Sequence, residues 1–370
     1  MQNTHLENNS LPNNPSNHDG LHFEIALVGN LKEDYQKKTD DPPDAGVEFD
    51  RKETVEAIQA ALVSRGHRVT FCEADRSLPE VLQKLSPQIV FNIAEGRSGD
   101  GREAHVPALC ELLELPYTGS RVVANAISLD KTQTKRIWRE VGLPTAPFRE
   151  FNSLDGIAHT ALRFPMFVKP SHEGTGMGID QQAIVRNYSQ LESRVEWTIK
   201  TYKQPALIEE YLPGREFTIG FIGNPGINQN KTDLYDDQGY HFFPVLEIET
   251  RESITPGVYG KDAKGFNLDE PGAPAYLCPA DIDSELEYSL IDLTKRAAQA
   301  LNVCDFSRVD FRLGANGQPY LLEINTLPGL NPEVSDLCIM AHAEGIPYTD
   351  LINEILNLAA QRYGLLTIER

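Results

Sequence analysis

The stretch from Ser307 to Thr326 constrains the fold more than any other part of the sequence. It reads SRVDFRLGANGQPYLLEINT, two alternating runs divided by Asn316-Gly317, and that dipeptide between alternating runs is the strongest short hairpin signal. A two-residue turn pairs Ala315 with Gln318, which sets Asp310 opposite Glu323 and Arg308 opposite Asn325. Side chains alternate across a strand, so Arg308, Asp310 and Arg312 share one face with Leu321, Glu323 and Asn325. Val309, Phe311, Leu313, Leu322 and Ile324 then point into a core. Carboxylates placed directly opposite lie roughly 5 Å apart and repel. A hard divalent cation relieves the repulsion and takes oxygen ligands of this kind, with Asn325 adding a carbonyl oxygen. Neutralisation by Arg308 and Arg312, or simple solvation, is the alternative.

The chain has 370 residues, room for two or three domains. Asp plus Glu number 54 against 34 Lys plus Arg, a formal net charge of −20. That balance argues against a nucleic-acid partner, which needs a basic face, and against polybasic attachment to a membrane. No apolar run approaches the roughly 18 residues of a membrane span. Residues 1–20 have neither the basic start nor the apolar stretch of a signal peptide. Cys72, Cys110, Cys278, Cys304 and Cys338 are scattered without a Cys-x-x-Cys pair, as expected of reduced thiols in the cytoplasm.

Residues 1–20 are rich in Asn, Ser and Pro and read as a disordered tail. Strands at Phe23–Val28, Val69–Cys72 and Ile89–Ile93 alternate with helices at 51–65 and 78–85. This order implies a parallel, doubly wound unit, with Asn30, Asn92 and Glu95 on its ligand-binding rim. Helices follow at about 103–113 and 131–141. From Pro165 strands dominate, with helices near 187–201, 284–301 and 349–363. The expected organisation is an α/β and α+β chain in three parts: a Rossmann-like domain (21–122), a small α+β lobe (123–205) and an α+β domain with the hairpin (206–370). Long polar or glycine-rich loops at 224–240 and 255–274 read as surface loop and lid.

Two further segments carry chemistry. In Val168-Lys-Pro-Ser-His-Glu-Gly-Thr-Gly-Met-Gly178 a strand ends in Lys169 and enters a loop of alternating glycines. Such loops let backbone N–H groups approach phosphate oxygens. The pattern is neither the Walker loop nor the dinucleotide fingerprint, and an ordinary glycine turn is the alternative. In Ala206–Thr218 an apolar strand runs to Glu209, turns at Pro213-Gly214 and continues past Glu216. Free backbone groups at that junction suit a purine edge and Glu216 suits ribose hydroxyls; ordinary surface acids are the alternative.

These segments, in this order with Leu115-Pro-Tyr-Thr-Gly-Ser120, Ser128-Leu-Asp-Lys131 and Leu322–Gly329, resemble the ATP-grasp superfamily. Within it the sequence is most similar to D-alanine–D-alanine ligase and its relatives, over about residues 22–365. The resemblance implies an ATP-grasp fold and the following roles. Lys131 and Lys169 would contact ATP phosphates, with Glu173, Gly174, Thr175, Gly176 and Gly178 closing over them. Glu209 and the Leu212 backbone would read adenine, and Glu216 the ribose. Asp310, Glu323 and Asn325 would hold two Mg²⁺ ions, for which Mn²⁺ can substitute. Arg308 and the Gly329 N–H would form an oxyanion hole, and Lys264 would neutralise the transferred phosphoryl group. Glu48 would hold the ammonium of the first amino acid. A carboxylate would attack the γ-phosphoryl group to give an acyl phosphate, which an amine would then attack. A homodimer is also implied.

The departures from the family cluster at the substrate end. Glu95-Gly96 stands where the ligases carry His-Gly, and Thr175-Gly176 stands in place of paired serines. Gly265 and Phe266, not a tyrosine, follow Lys264. In Leu330-Asn-Pro-Glu-Val-Ser335 the serine that takes the second substrate's carboxylate is displaced or missing. The expectation is therefore a carboxylate–amine ligase acting on small molecules other than two D-alanines, with Glu95 and Glu333 facing a cationic or amine-bearing partner. A genuine D-alanine–D-alanine ligase and a retired nucleotide-binding protein are the competing readings.

Overall fold

The computed structural model describes residues 22–226, 234–250, 257–260 and 273–366. The expected tail, Lys264 and parts of both long loops lie outside the described residues.

Strand β1 (Glu24–Gly29) runs parallel between β2 (Arg68–Glu73) and β3 (Ile89–Asn92). Its run of apolar residues is buried, as a central parallel strand requires. Helices α1 (Lys52–Val63) and α2 (Leu78–Leu85) make the crossovers, and the 116–118 segment extends the ladder beside Val90. At the carboxyl rim Asn30 does structural work. Its Oδ1 accepts the Gly96 N–H at 2.9 Å and its Nδ2 donates to the Ala74 carbonyl at 3.0 Å.

Helices α3 (His105–Leu112), α4 (Val122–Leu129) and α5 (Lys131–Glu140) lead to an antiparallel sheet. That sheet holds β4 (Phe148–Phe151), β5 (Met166–Pro170), β6 (Ile184–Val185) and β7 (Ala206–Glu210) in the order β4-β7-β5-β6, with α6 (Tyr188–Tyr202) packed on it. The expected boundary at 205/206 therefore falls inside a sheet: β7 pairs with β4 and β5 and belongs to the central lobe. Helix α5 also crosses the expected division, because Trp138 is buried in the core of the last lobe.

The last sheet runs β11-β10-β8-β12-β13, with β9 beside β8. Its strands are β8 (Glu216–Gly223), β9 (Tyr240–Phe242), β10 (Leu246–Glu249), β11 (Ala275–Leu277), β12 (Asp305–Leu313) and β13 (Pro319–Asn325). Helix α7 (Ser284–Leu301) covers one face, and α8 (Asp336–Ala343) packs against β8. The closing helix α9 (Tyr348–Arg362) packs not on this lobe alone but on α1, where Ile352, Ile355, Ile58 and Leu62 share one core. Buried Asp305 locks the lobes together. It accepts from Arg362 Nη2 at 2.7 Å, Asn224 Nδ2 at 2.7 Å and the Gly119 N–H at 2.8 Å.

The hairpin keeps its expected pairs by an unexpected route. Gly314 N–H donates to the Gln318 carbonyl and Gly317 N–H to the Gly314 carbonyl, so the turn has three residues, with Gly317 at φ +74°. That offsets the ladder by one. A bulge between Asp310 and Phe311 offsets it back, and Asp310 again faces Glu323 and Arg308 faces Asn325. The expected facing of the two leucines is corrected: Leu321 is buried in the core and Leu322 lines the cleft. A bulge puts two residues against one and turns the local alternation over. A Cβ on Gly317 would meet nothing within 4 Å, so Gly317→Ala exposes only the left-handed backbone strain. Denaturant titration should show a loss of about 1 kcal/mol; no loss would contradict the three-residue turn.

Candidate active site

The hairpin presents Asp310 and Glu323 to the cleft between the last two lobes, where both line the cavity wall with Lys131 and Lys169. Asp310 Oδ1 accepts from Thr218 Oγ1 at 2.6 Å, and Lys131 Nζ lies 3.4 Å from Glu323 Oε2. Arg308 sits 3.5 Å from Asp310 Oδ2 and is ion-paired with Asp336, a residue the sequence motifs did not single out. Burial opposes the Arg308 charge, yet Asp310 and Asp336 hold its pKa above the ordinary value. Arg312 does not neutralise the pair: it lies 3.3 Å from Glu216. Asn325 Oδ1 accepts the Leu327 N–H at 2.9 Å and keeps a second lone pair. This donor set of hard oxygens fits a divalent cation.

Beside it stands a buried lysine–glutamate cluster. Glu209 lies 2.7 Å from Lys135 and 3.1 Å from Lys169. Burial alone would raise its pKa; the two lysines outweigh burial and hold it below the usual range. Burial pushes the Lys135 ammonium down, whereas at Lys169 Glu209 and Glu323 overcome burial and push it up. Lys135 was missed in the sequence, although it follows Lys131 by one helical turn. The Glu209 side chain is thus the counter-ion of the lysines. Among the described residues Leu212 makes no backbone hydrogen bond, so its N–H and carbonyl are the groups available to an adenine edge. Phe167 and Tyr211, stacked with ring centroids 6.5 Å apart, flank that slot with Ala146 and Leu322.

The glycine loop turns through left-handed backbone at Thr175 (φ +49°), Gly176 (φ +70°) and Gly178 (φ +70°). Two carboxylates of the first domain hold it. Glu48 Oε1 accepts the Gly174 N–H at 2.7 Å, and Asp44 Oδ2 accepts the Gly178 N–H at 2.9 Å. The Thr175 and Gly176 N–H groups have no hydrogen-bond partner among the described residues, and such a concavity of free amides suits an anion. Lys131 Nζ donates to the Glu173 carbonyl. Glu48 is less available than expected: both its oxygens lie within 2.9 Å of Arg102 Nη2, and Arg102 also meets Glu173 at 3.1 Å.

At the substrate end Ser335 lies close to Gly329. Ser335 Oγ accepts the Asn331 N–H and would lie 2.8 Å from a Cβ on Gly329. The two expected acids part company. Glu333 is exposed on a turn, whereas Glu95 is partly buried in the acidic wall of the first domain. The hydroxyls of Tyr259 and Tyr276 are hydrogen-bonded beside Arg308 and Asp336.

The fold is that of the ATP-grasp ligases. Residues 137–357 match the family described as D-ala D-ala ligase C-terminus. The uncharacterized protein y4sG of Sinorhizobium fredii is 35% identical over 320 residues, covering 83% of this chain and 88% of its own. The D-alanine–D-alanine ligase of Aquifex aeolicus is 31% identical over 304 residues, covering 82% and 93%. The crystal structure of the Bacillus anthracis D-alanine–D-alanine ligase complexed with ATP shares the fold, with a TM-score of 0.67 at 20% identity over 92% of this chain and 99% of that one. The chain belongs to the D-alanine–D-alanine ligase family, ATP-dependent ligases that form C–N bonds. Among the described residues no helix is long and apolar enough to cross a membrane.

Two measurements test the electrostatics. Lys135→Met removes one partner of a buried carboxylate and should destabilise the fold by about 3 kcal/mol in urea titration; a loss within error would mean Lys169 suffices. Burial pushes the Asp50 carboxyl up to about 7. A raised folded pKa gives stability that is full below the ordinary carboxylate pKa and is lost as pH rises through the folded value. The thermal midpoint of Asp50→Asn should therefore gain on the native chain from about pH 5 to about pH 8. A constant difference would contradict the shift.

Proposed function

We propose that the protein joins a small-molecule carboxylate to an amine at the expense of ATP, with substrates that are not simply two D-alanines. The observation that carries this is the contrast between the two ends of the cleft. The hairpin oxygens, the lysines and the glycine loop are assembled at one end. At the other, Glu95-Gly96, Thr175-Gly176 and Leu330–Ser335 depart from the family pattern.

Lys131, Lys169 and the free amides of Thr175 and Gly176 neutralise the phosphate oxygens. The Leu212 backbone holds adenine, and Glu216 the ribose. Asp310, Glu323 and Asn325 would hold two Mg²⁺ ions, which supply Lewis-acid charge at the transferred phosphoryl group. The substrate carboxylate attacks the γ-phosphorus and ADP leaves, giving an acyl phosphate. The amine attacks the acyl carbon, Arg308 and the Gly329 N–H take the developing oxyanion charge, and phosphate departs. Lys264 would add positive charge from the segment that bears it. Water must be excluded while the acyl phosphate exists.

The test is ADP release with Mg²⁺ and ATP against D- and L-amino acids, small acids and amines. Turnover with a pair other than D-alanine is expected, and Glu323→Ala should lower it by at least about a hundredfold. Turnover with D-alanine alone, with the dipeptide seen by mass spectrometry, would make it a cell-wall ligase. ATP binding without turnover on the whole panel would leave a retired enzyme or a substrate outside the panel.

A further inference from the structure

Away from the hairpin, one group of ligand-type side chains converges where β5 enters the glycine loop. Asp130, Glu150 and His172 each bring a ligand atom within 4.8 Å of the other two. They come from three elements: the residue before α5, strand β4 and the segment after β5. His172 is 8% exposed. Its Nε2 lies 3.2 Å from Asp130 Oδ2, and its Nδ1 is buried with no hydrogen-bond partner among the described residues. The reaction proposed above uses none of the three.

Neighbouring groups set each of them in place. Asp130 caps α5: its Oδ1 accepts the Gln133 N–H at 2.9 Å, which leaves Oδ2 to face the imidazole. The His172 N–H donates to Gln204 Oε1 at 2.6 Å, and its carbonyl accepts from Arg102 Nη1 at 2.7 Å. The ring is thus carried on a segment held from both sides. Ser171 Oγ donates to Glu150 Oε1 at 3.1 Å and lies 2.9 Å from Thr132 Oγ1. The competing cation is Arg136, 3.4 Å from Glu150 Oε2, on a side chain that is 46% exposed and able to swing aside.

We propose that Asp130, Glu150 and His172 form a further metal site, separate from the hairpin, that takes a Zn²⁺-class ion and staples the start of α5 to the start of the glycine loop. Ligand atoms at roughly 2.0–2.1 Å from a tetrahedral ion lie roughly 3.3 Å apart. His172 Nε2 and Asp130 Oδ2 stand near that spacing, and a rotation of the Glu150 side chain closes the third ligand. Two carboxylates and a neutral imidazole balance a divalent charge. Metal on Nε2 leaves the ring proton on Nδ1, the nitrogen without a partner. Asp100 Oδ1 lies 3.9 Å from Nδ1 on an exposed side chain, placed to become the carboxylate that backs a metal-bound histidine. An imidazole ligand selects Zn²⁺ over Mg²⁺, which takes oxygen. The site would act on the phosphate end of the cleft through the chain itself. Asp130 precedes Lys131, whose N–H donates to the Ser171 carbonyl at 3.0 Å and whose amine donates to the Glu173 carbonyl. The bound ion fixes that lysine against the loop.

The test is calorimetric titration of Zn²⁺ into the metal-free full chain, with Mg²⁺ in large excess to occupy the hairpin. Zn²⁺ should bind and raise the thermal midpoint. His172→Asn and Glu150→Gln should each weaken that binding by at least about tenfold, whereas Asp310→Asn should leave this Zn²⁺ in place. Co²⁺ gives a second reading that needs no variant: bound to the native chain it should show the strong visible bands of a four- or five-coordinate site. Zn²⁺ binding that is absent, or that is as tight in His172→Asn as in the native chain, would overturn the proposal and leave a bare ion pair between His172 and Asp130. Only the weak bands of six-coordinate Co²⁺ among oxygens would do the same.

Discussion

Two carboxylates held face to face across one hairpin set the terms for everything around them. Asp310 and Glu323 cannot share a register without a cation between or beside them. The chain surrounds the pair with positive groups that are themselves paired: Lys131 leans on Glu323, Lys169 is shared with Glu209, and Arg308 is shared with Asp336. Positive charge is thereby held in place, desolvated and oriented, as the proposed phosphoryl transfer would require. Such preorganised charge stabilises a phosphoryl-transfer transition state without reorganisation during the reaction.

The lobes are tied so that the site is built from all of them at once. Asp44 and Glu48, from the loop after β1, hold the glycine amides at Gly178 and Gly174. Glu48 is in turn gripped by Arg102, which also meets Glu173, so the glycine loop and the first domain share one ion-pair network. On the opposite side Asp305, Arg362 and Gly119 join the last sheet, the closing helix and the first domain. The first domain is therefore tied through side chains to the glycine loop.

Much of this was legible in the sequence, and the failures have physical reasons. The parallel first domain, the hairpin pairs and the glycine loop were signalled by local pattern. The three-residue turn and the bulge were not, because Asn-Gly suits a two-residue turn as well and nothing in Tyr-Leu-Leu-Glu marks the extra residue. Helix α8 escaped because Asp336–Ala343 is apolar on most sides and has no period to detect. The partners of Glu48 and Arg308 escaped because Arg102 and Asp336 lie 54 and 28 residues away along the chain. Lys135 carried a signal, its one-turn spacing from Lys131. The place of Ser335 in the chain gives no sign of its nearness to Gly329, which the turn at Asn331 creates.

The proposed function requires the facing hairpin acids to hold divalent metal against the ATP phosphates. Its most direct test is an electron paramagnetic resonance titration of the full chain with Mn²⁺, with and without a non-hydrolysable ATP analogue. The expected result is nucleotide-dependent uptake of two Mn²⁺ ions whose spectra broaden by mutual coupling, both lost in Asp310→Asn. Uncoupled ions, or binding that persists undiminished in that variant, would contradict it.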